Sequence, residues 1–566
     1  MKIVVIGGVA AGASAAARLR RLDSQAQIIV FERGEHAAFS NCSLPYYLGG
    51  VVADESNLVV MTPELFWMRY RIEVRTGSEV TAISRDDHCV QVREVTTGRE
   101  YSEHYDKLIV APGAAPIRPR SIPGIMNQNV FTMRNVRDAA NFKTYLETVH
   151  ARDVVVVGGG FIGIEAAENL TEAGYVVHLI EGLNQILAPF DEDMAQILHK
   201  ELMDHGVRLY LGHMLSEICE HTVKASSEGK MIEIPADAVL LSIGVAPETR
   251  LITEAGLETG PTRGIKVNAN YQTDDPDIYA VGDAVQSFNR LTGQPGILAL
   301  AGPAQRQARA AADHIEGMCN RVRGFIGSSC LRVFGMNAAC TGLNEKAAEK
   351  AGLNYDVAYV LPDDRVKIIP GAHFLAFKLV FEVPTGRVLG AQAVGQGDAV
   401  RRIDVIAAMI SMNAVLEDLK DLELCYSPIY GTAKDVVNMA ALVGLNLLHG
   451  RLKQVRVSEI RKLAEAGAYI VDVREKPDYE AGHICGAHNV PLSELHDRIN
   501  EIPRDIPVYL HCRSGQRSYY AICELQGQGW NNVTNLSGSF LGLCLYEYFH
   551  DQTDGRKPIV TNYMFN

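Results

Sequence analysis

Val154-Val155-Val156-Val157-Gly158-Gly159-Gly160-Phe161-Ile162-Gly163 is the stretch from which the fold is read. Four consecutive β-branched residues suit a strand buried on both faces, as in a parallel sheet. Gly158, Gly160 and Gly163 then fit G-x-G-x-x-G, with Phe161 and Ile162 inside the turn. Such a turn lets backbone N–H groups approach a pyrophosphate. The helix that follows, expected through Glu165–Ala173, adds partial positive charge at its N-terminus. A further strand, Val176–Ile180, ends in Glu181. A carboxylate there can accept hydrogen bonds from ribose hydroxyls and repels a 2′-phosphate. NADH is therefore expected over NADPH, with NADPH left open. The plainer reading of Glu181 is a solvated strand end.

The same grammar occurs at the N-terminus. Val4–Ile6 is apolar, Gly7-Gly8-Val9-Ala10-Ala11-Gly12 turns, and Ala13–Leu22 has a helical pattern. Val9 replaces the middle glycine, so this turn alone is the weaker of the two. A second strand, Ile28–Phe31, ends in Glu32-Arg33, where a ribose-binding acid should fall. Two cradles in one chain predict two dinucleotides.

Bulk properties fit this reading. The chain has 566 residues, 47% of them hydrophobic. That is enough for roughly three to five domains. A net charge of −13 disfavours nucleic-acid binding. No signal peptide is expected, since the N-terminus runs straight into an apolar strand and a glycine turn, and no apolar run is long enough for a membrane span. The 11 cysteines show no framework spacing and no C-x-x-C, which suits a reducing cytoplasm. No His/Cys spacing suggests a metal.

One cysteine stands apart. Cys42 lies in Phe39-Ser40-Asn41-Cys42-Ser43-Leu44-Pro45-Tyr46-Tyr47-Leu48, soon after Glu32. Pro45 should open a helix just beyond it. A helix N-terminus lowers a thiol pKa, so a reactive thiolate is expected. The alternative is a buried structural cysteine.

Three later segments complete a pattern: Leu108-Ile109-Val110-Ala111-Pro112-Gly113-Ala114, Leu241-Ser242-Ile243-Gly244-Val245-Ala246-Pro247 and Ile278-Tyr279-Ala280-Val281-Gly282-Asp283-Ala284. Together with the two cradles they resemble the pyridine-nucleotide disulfide reductase family. In that family the Asp283 position binds the FAD ribityl chain, and the other two segments join the FAD and NAD domains. Residues 1–445 resemble its coenzyme A-disulfide reductase branch through the Gly-Gly-Val-Ala turn, Ser40-Asn41-Cys42, Leu44-Pro45-Tyr46-Tyr47, Ala301-Gly302-Pro303-Ala304 and Asp435-Val436-Val437-Asn438-Met439. The resemblance implies a single-cysteine mechanism with a Cys42–S–S–CoA mixed disulfide. It also implies a homodimer built by residues about 326–445. Tyr426 and Tyr430 match a segment that reaches the partner's cysteine, where a phenol could protonate a leaving thiolate. Packing is the alternative role for both.

Coenzyme A carries phosphates, and Arg18 and Arg21 share a helix face. They match the branch's basic positions; Arg69 and Arg71 are further candidates. Three segments depart from the branch. Ser43 stands where Gly or Ala is usual. Ile368-Ile369-Pro370-Gly371-Ala372 replaces Tyr-Tyr-Pro-Gly-Ala, and Ala304-Gln305-Arg306 replaces Ala-Asn-Arg. These cluster near the expected substrate site and bear on the identity of the thiol.

Beyond the polar junction at residues 446–455 a new α/β pattern begins. Tyr469-Ile470-Val471-Asp472-Val473-Arg474, His483–Pro491 and the loop Cys512-Arg513-Ser514-Gly515-Gln516-Arg517-Ser518 resemble a rhodanese domain. Loop N–H groups with Arg517 form an anion nest that favours a thiolate or persulfide. Phosphatase loops are one residue longer between Cys and Arg, so sulfur transfer is favoured over phosphate chemistry.

The predicted fold is α/β: two Rossmann-like FAD/NAD(P)-binding domains, an α+β dimerisation domain and a C-terminal rhodanese-like domain. The expected borders are 1–112 and 248–325 for the FAD domain and 113–247 for the NAD(P)H domain. Residues 326–445 are assigned to dimerisation, 455–550 to the rhodanese domain and 551–566 to a tail. The expected activity is reduction of a CoA persulfide or polysulfide by NADH through FAD and Cys42, with Cys512 carrying sulfane sulfur. The rivals are a plain CoA-disulfide reductase, an NADH oxidase or peroxidase, and a nucleotide-binding redox sensor. Oxidase relatives carry a histidine in the first glycine turn, which Val9-Ala10-Ala11 lacks.

Overall fold

The computed structural model describes residues 1–320 and 324–565, which fall into two compact units. The first unit comprises Met1–Leu183 and Tyr210–Phe325, the second Asn184–Leu209 and Ile326–Asn566. Residues 321–323 of the expected FAD segment and Asn566 of the expected tail lie outside the described residues.

The first unit contains two parallel sheets. One runs in the order Ile278–Ala280, Lys107–Val110, Lys2–Ile6, Gln27–Phe31, Glu73–Arg75. Its apolar strands are buried because helices and an antiparallel layer cover its faces. The helix Ala10–Leu22 lies against Ala301–Ile315, with Ala15, Ala16 and Leu19 packed in one cluster with Ala304, Ala308 and Ala311. Small side chains let the two backbones approach closely. The other sheet places Asp153–Val157 between parallel neighbours Val176–Glu181 and Ala238–Leu241, with Val130–Thr132 beyond. A two-stranded antiparallel ribbon, Ala114–Pro116 with Val245–Pro247, joins the two halves. Gly113 and Gly244, at φ +73° and +107°, open its two strands in a conformation open mainly to glycine.

The second unit has an antiparallel sheet ordered Ser329–Val333, Met336–Gly342, Val388–Gly395, Leu375–Glu382, Tyr355–Val360. Helices Ala399–Ser411 and Val436–Leu448 accompany it. A parallel sheet follows in the order Gln454–Val455, Val533–Leu536, Val508–His511, Tyr469–Asp472, His488–Asn489.

Two borders differ from the sequence reading. Residues 184–209, within the expected NAD(P)H domain, share most of their contacts with the second unit. Their Asp191 and Asp193 meet the buried Lys378 of Leu375–Glu382, at 3.1 and 2.8 Å. The helix Val436–Leu448 runs past the expected border at 445. Residues 551–565 are not a separate tail. The helix Ser539–Thr553 crosses residue 550, Ile484 bridges Val560, and Tyr563 and Phe565 pack on the rhodanese-like core.

Candidate active sites

The first glycine turn opens onto a cavity of about 1020 Å³. The sequence candidates Gly7, Ala10, Ala11, Glu32, Ala111 and Gly113 line it, and so do Arg33, Phe39, Asn41, Gly282 and Asp283. Turn geometry explains the glycines. A Cβ on Gly12 would stand 1.8 Å from the Gly7 carbonyl oxygen, and one on Gly163 1.9 Å from that of Gly158. Both turns therefore close by the same backbone approach. Glu32 accepts N–H bonds from Gly8 and Gly34, both at 2.8 Å. Glu181 repeats this with Gly159 at 2.6 Å and Leu183 at 2.8 Å. Each carboxylate thus straps its own turn, which neither sequence reading of Glu181 included.

The cavity suits a dinucleotide. The helices Ala10–Leu22, Phe161–Glu172 and Ala301–Ile315 all begin without a side-chain cap, which leaves their first N–H groups open to an anion. No atom lies within 4 Å of a Cβ built on Gly160, so that cradle is open to a close-fitting group. Ile162, within the same turn, is 44% exposed. Ala301, the first residue of its helix, is exposed, while Ala304 one turn on lines the cavity. Arg33 and Arg134 converge on Glu248 Oε1, at 2.9 and 2.7 Å. Sequence reasoning missed Arg134 and Glu248, because the pairing joins segments 114 positions apart.

Cys42 sits in a 3₁₀ turn, Asn41–Ser43, and is exposed. Pro45 does start a helix, but it spans only Leu44–Leu48. The surroundings of Cys42 in this chain act against the low thiol pKa expected from sequence. Partial burial pushes the Cys42 thiol up, and the charges of Glu165 and Asp283 push the same way. A five-residue helix has too little dipole to offset two carboxylates. Ser43, the departure from the branch pattern, pairs its hydroxyl with that of Ser40 at 2.7 Å and so braces the turn. Burial also raises Asp283, which Arg134 partly offsets.

The basic candidates separate. Arg18 pairs through Nε with Asp313 at 2.6 Å, fastening the two alanine-rich helices together. Arg21, Arg69 and Arg71 are exposed. Arg71 stands over the Trp67 ring at 5.5 Å. Tyr426 and Tyr430 belong to the second unit and are 50% and 67% exposed. The Val366 amide donates to the Pro428 carbonyl at 3.3 Å, so their loop adjoins that of the exposed Ile368.

In the second unit, Cys512 follows the strand Val508–His511 and is 1% exposed. The Gly515 amide donates to its Sγ at 3.1 Å, and the Ser518 hydroxyl stands 3.8 Å from the same atom. Ser518 is held in turn by Asn535 at 2.7 Å. Arg517, in the first turn of Gln516–Gly527, has Nη1 3.4 Å from Asp478 Oδ2. Beneath the loop, Asp472 and Arg474 form a buried pair at 2.6 Å. Burial opposes the charge of Asp472, but His511 and Arg474 hold its carboxyl below the usual range. His511 is fully buried, with Nε2 lacking a hydrogen-bond partner among the described residues, and burial pushes its pKa down.

Two nucleotide-type cradles, one of them beside a lone exposed cysteine, define a pyridine-nucleotide-dependent sulfur oxidoreductase. The chain belongs to the pyridine nucleotide-disulphide oxidoreductase family, which it matches over residues 1–308. It also matches that family's dimerisation domain over 329–435 and the rhodanese-like domain over 456–544. It is 32% identical over 439 residues to a coenzyme A disulfide reductase of Staphylococcus epidermidis, covering 77% of this chain and 98% of that protein. The crystal structure of reduced Bacillus anthracis CoADR-RHD superposes with a TM-score of 0.93 at 41% identity, covering 97% of this chain and 98% of the other. An NAD-dependent persulfide reductase from A. fulgidus superposes at 0.90 with 34% identity, covering 95% and 99%.

Proposed function

We propose that this enzyme uses NADH to reduce a CoA persulfide or polysulfide at Cys42, with Cys512 carrying sulfane sulfur and two copies of the chain forming the working dimer. The observation that carries the proposal is the placement of Cys42. It directly follows Asn41 of the cavity lining and feels the charge of Asp283 from the same lining. The next cysteine along the chain, Cys89, is buried in an antiparallel strand. A lone thiol must take its sulfur partner from the substrate.

In this reading Gly7, Gly8, Gly12, Glu32 and Asp283 hold FAD, which when bound relays two electrons from the pyridine nucleotide to sulfur. Gly158, Gly160, Gly163 and Glu181 orient the nucleotide. The Cys42 thiolate attacks the CoA-bearing sulfur of CoA–S–SH. A Cys42–S–S–CoA bond forms, and hydrosulfide leaves with the electron pair of the broken S–S bond. Two electrons then restore the Cys42 thiolate and release CoA thiolate. Arg18, Arg21, Arg69 and Arg71 are the basic residues for the CoA phosphates, and Tyr426 and Tyr430 serve the partner subunit's cysteine.

The A. fulgidus persulfide reductase supports the persulfide reading, and the Staphylococcus relative supports CoA as the thiol. NADH-driven sulfide release tests it. Cys42→Ser should abolish release while the bound flavin stays reducible by NADH; full activity would end the proposal. Faster turnover of CoA disulfide than of CoA persulfide would favour plain disulfide reduction.

A further inference from the structure

The loop that carries Tyr426 and Tyr430 is exposed at its tip and tied at both ends by buried side chains. At its far end stands Arg402 of the helix Ala399–Ser411, only 3% exposed. Arg402 Nη2 donates to the Tyr430 carbonyl at 3.1 Å, Nη1 to the Asp398 carbonyl at 2.8 Å and Nε to Asp435 Oδ2 at 3.2 Å. A buried guanidinium is costly unless its donors are matched, and one of these is matched by the loop backbone. A Cβ on Gly431 would stand 3.2 Å from the same Nη2, so the guanidinium lies against the chain itself. Asp435 also accepts the Val437 amide at 3.1 Å, which joins Arg402 to the start of the helix Val436–Leu448. At the near end Asn438, buried in the first turn of that helix, donates through Nδ2 to the carbonyls of Leu419 and Leu422, both at 3.0 Å. Between the two ties the Ser427 carbonyl accepts the Tyr430 and Gly431 amides at 2.8 and 3.1 Å, a turn that spaces the tyrosines.

We propose that Arg402 and Asn438 are positioning residues that hold the loop of Tyr426 and Tyr430 in the geometry its phenols need, a role that rests on the reading of these tyrosines as serving the partner subunit's cysteine. Both residues are buried and act through the loop backbone. A phenol on an exposed loop sweeps a wide volume unless the backbone beneath it is fixed, and a misplacement of about 1 Å can cost on the order of 10²-fold in rate. Ordering the loop within its own subunit also spares the site that entropy cost when the substrate arrives. Arginine suits the task, because its planar fork reaches Asp435, Asp398 and Tyr430 at once, which the single ammonium of a lysine does not. The Val366 amide binds Pro428 of the same loop, so the segment with Ile368-Ile369 leans on the same ties.

The test is a mutant cycle in the flavin-loaded, full-length enzyme. Arg402→Lys keeps a charge for Asp435 but loses the fork. It should lower kcat for CoA persulfide about tenfold, while NADH reduces the flavin at the wild-type rate. In an enzyme that also carries Tyr426→Phe and Tyr430→Phe, the same change should cost less than about twofold, because no phenol is left to position. An equal loss in both backgrounds means that Arg402 only supports the fold, and overturns the role. Asn438→Ala should repeat the pattern, and it carries the cycle if Arg402→Lys does not fold. Hydrogen exchange of the wild-type holoenzyme needs no variant: the Tyr430 and Gly431 amides should exchange at least about tenfold more slowly than in an unstructured chain. Unprotected exchange there overturns the clamp. Wild-type turnover with both phenylalanines would remove the role of the tyrosines and this one with it. Full turnover in Cys42→Ser would instead defeat the proposed function, and amide exchange would still report on Arg402 and Asn438.

Discussion

The Gly515 amide donates a hydrogen bond to Cys512 Sγ at 3.1 Å, in a loop whose glycine has φ +106°. The amide faces the sulfur because Gly515 adopts this left-handed conformation. Gly515→Ala should therefore cost about 1 kcal/mol of loop stability and slow sulfur loading at Cys512. Thiosulfate sulfurtransferase assays and intact mass after sulfide donor treatment check this. Cys512→Ser should lose the added sulfur altogether, while NADH-dependent reduction of CoA disulfide stays within about twofold, the scatter expected of a site that is not involved.

Glu181 straps the second turn, where the sequence reading places the ribose. Glu181→Arg removes the strap and adds charge that favours a 2′-phosphate. Steady-state kinetics should show kcat/KM for NADH falling by about tenfold or more, which corresponds to ~1.4 kcal/mol, with NADPH gaining. An unaltered NADH preference would contradict the assignment.

Asp472 gives the rhodanese-like sheet a pH signature. Its folded pKa lies below the unfolded value, so its pairing with Arg474 stabilises fully above the unfolded pKa of about 3.9. That stabilisation is lost as pH falls through the lower folded value. Asp472→Asn should cost about 3–5 kcal/mol at neutral pH, since Arg474 is left buried without its counter-charge. Thermal melts of the two proteins should converge only under strongly acidic conditions.

Lys378 is 1% exposed among Asp191, Asp193 and Glu345. Lys378→Met leaves three carboxylates without their shared cation. Denaturant melts should show a loss of about 3–5 kcal/mol. Adding Asp193→Asn should recover part of it, because one unpaired charge is removed.

Much of this architecture was legible in local sequence. The run Val154–Val157 with Gly158, Gly160 and Gly163 names its own strand, turn and helix, because the chemistry sits within ten consecutive residues. The placement of Cys42 close to the first turn and of Cys512 after its strand was also legible, from their order along the chain. The state of Cys42 was not, because it depends on Glu165 and Asp283, which only the tertiary fold brings near. Arg18 reads as a free basic face until Asp313, 295 positions away, is seen to take its Nε. Glu165 carries a signal two residues past Gly163, a charge among the buried Ile164, Ala166 and Ala167. Its partner, the Tyr46 hydroxyl, lies 119 positions upstream. The contacts of Asp191 and Asp193 with Lys378 were not legible, because they are a long-range charge match.

The central claim is that Cys42 alone carries the substrate sulfur bond. Acid-quenched enzyme turning over CoA persulfide under limiting NADH, digested without reductant, tests it by mass spectrometry. The account predicts CoA in disulfide linkage on the Cys42 peptide, absent after excess NADH. Turnover with no CoA on Cys42, or with CoA on another cysteine, would contradict it.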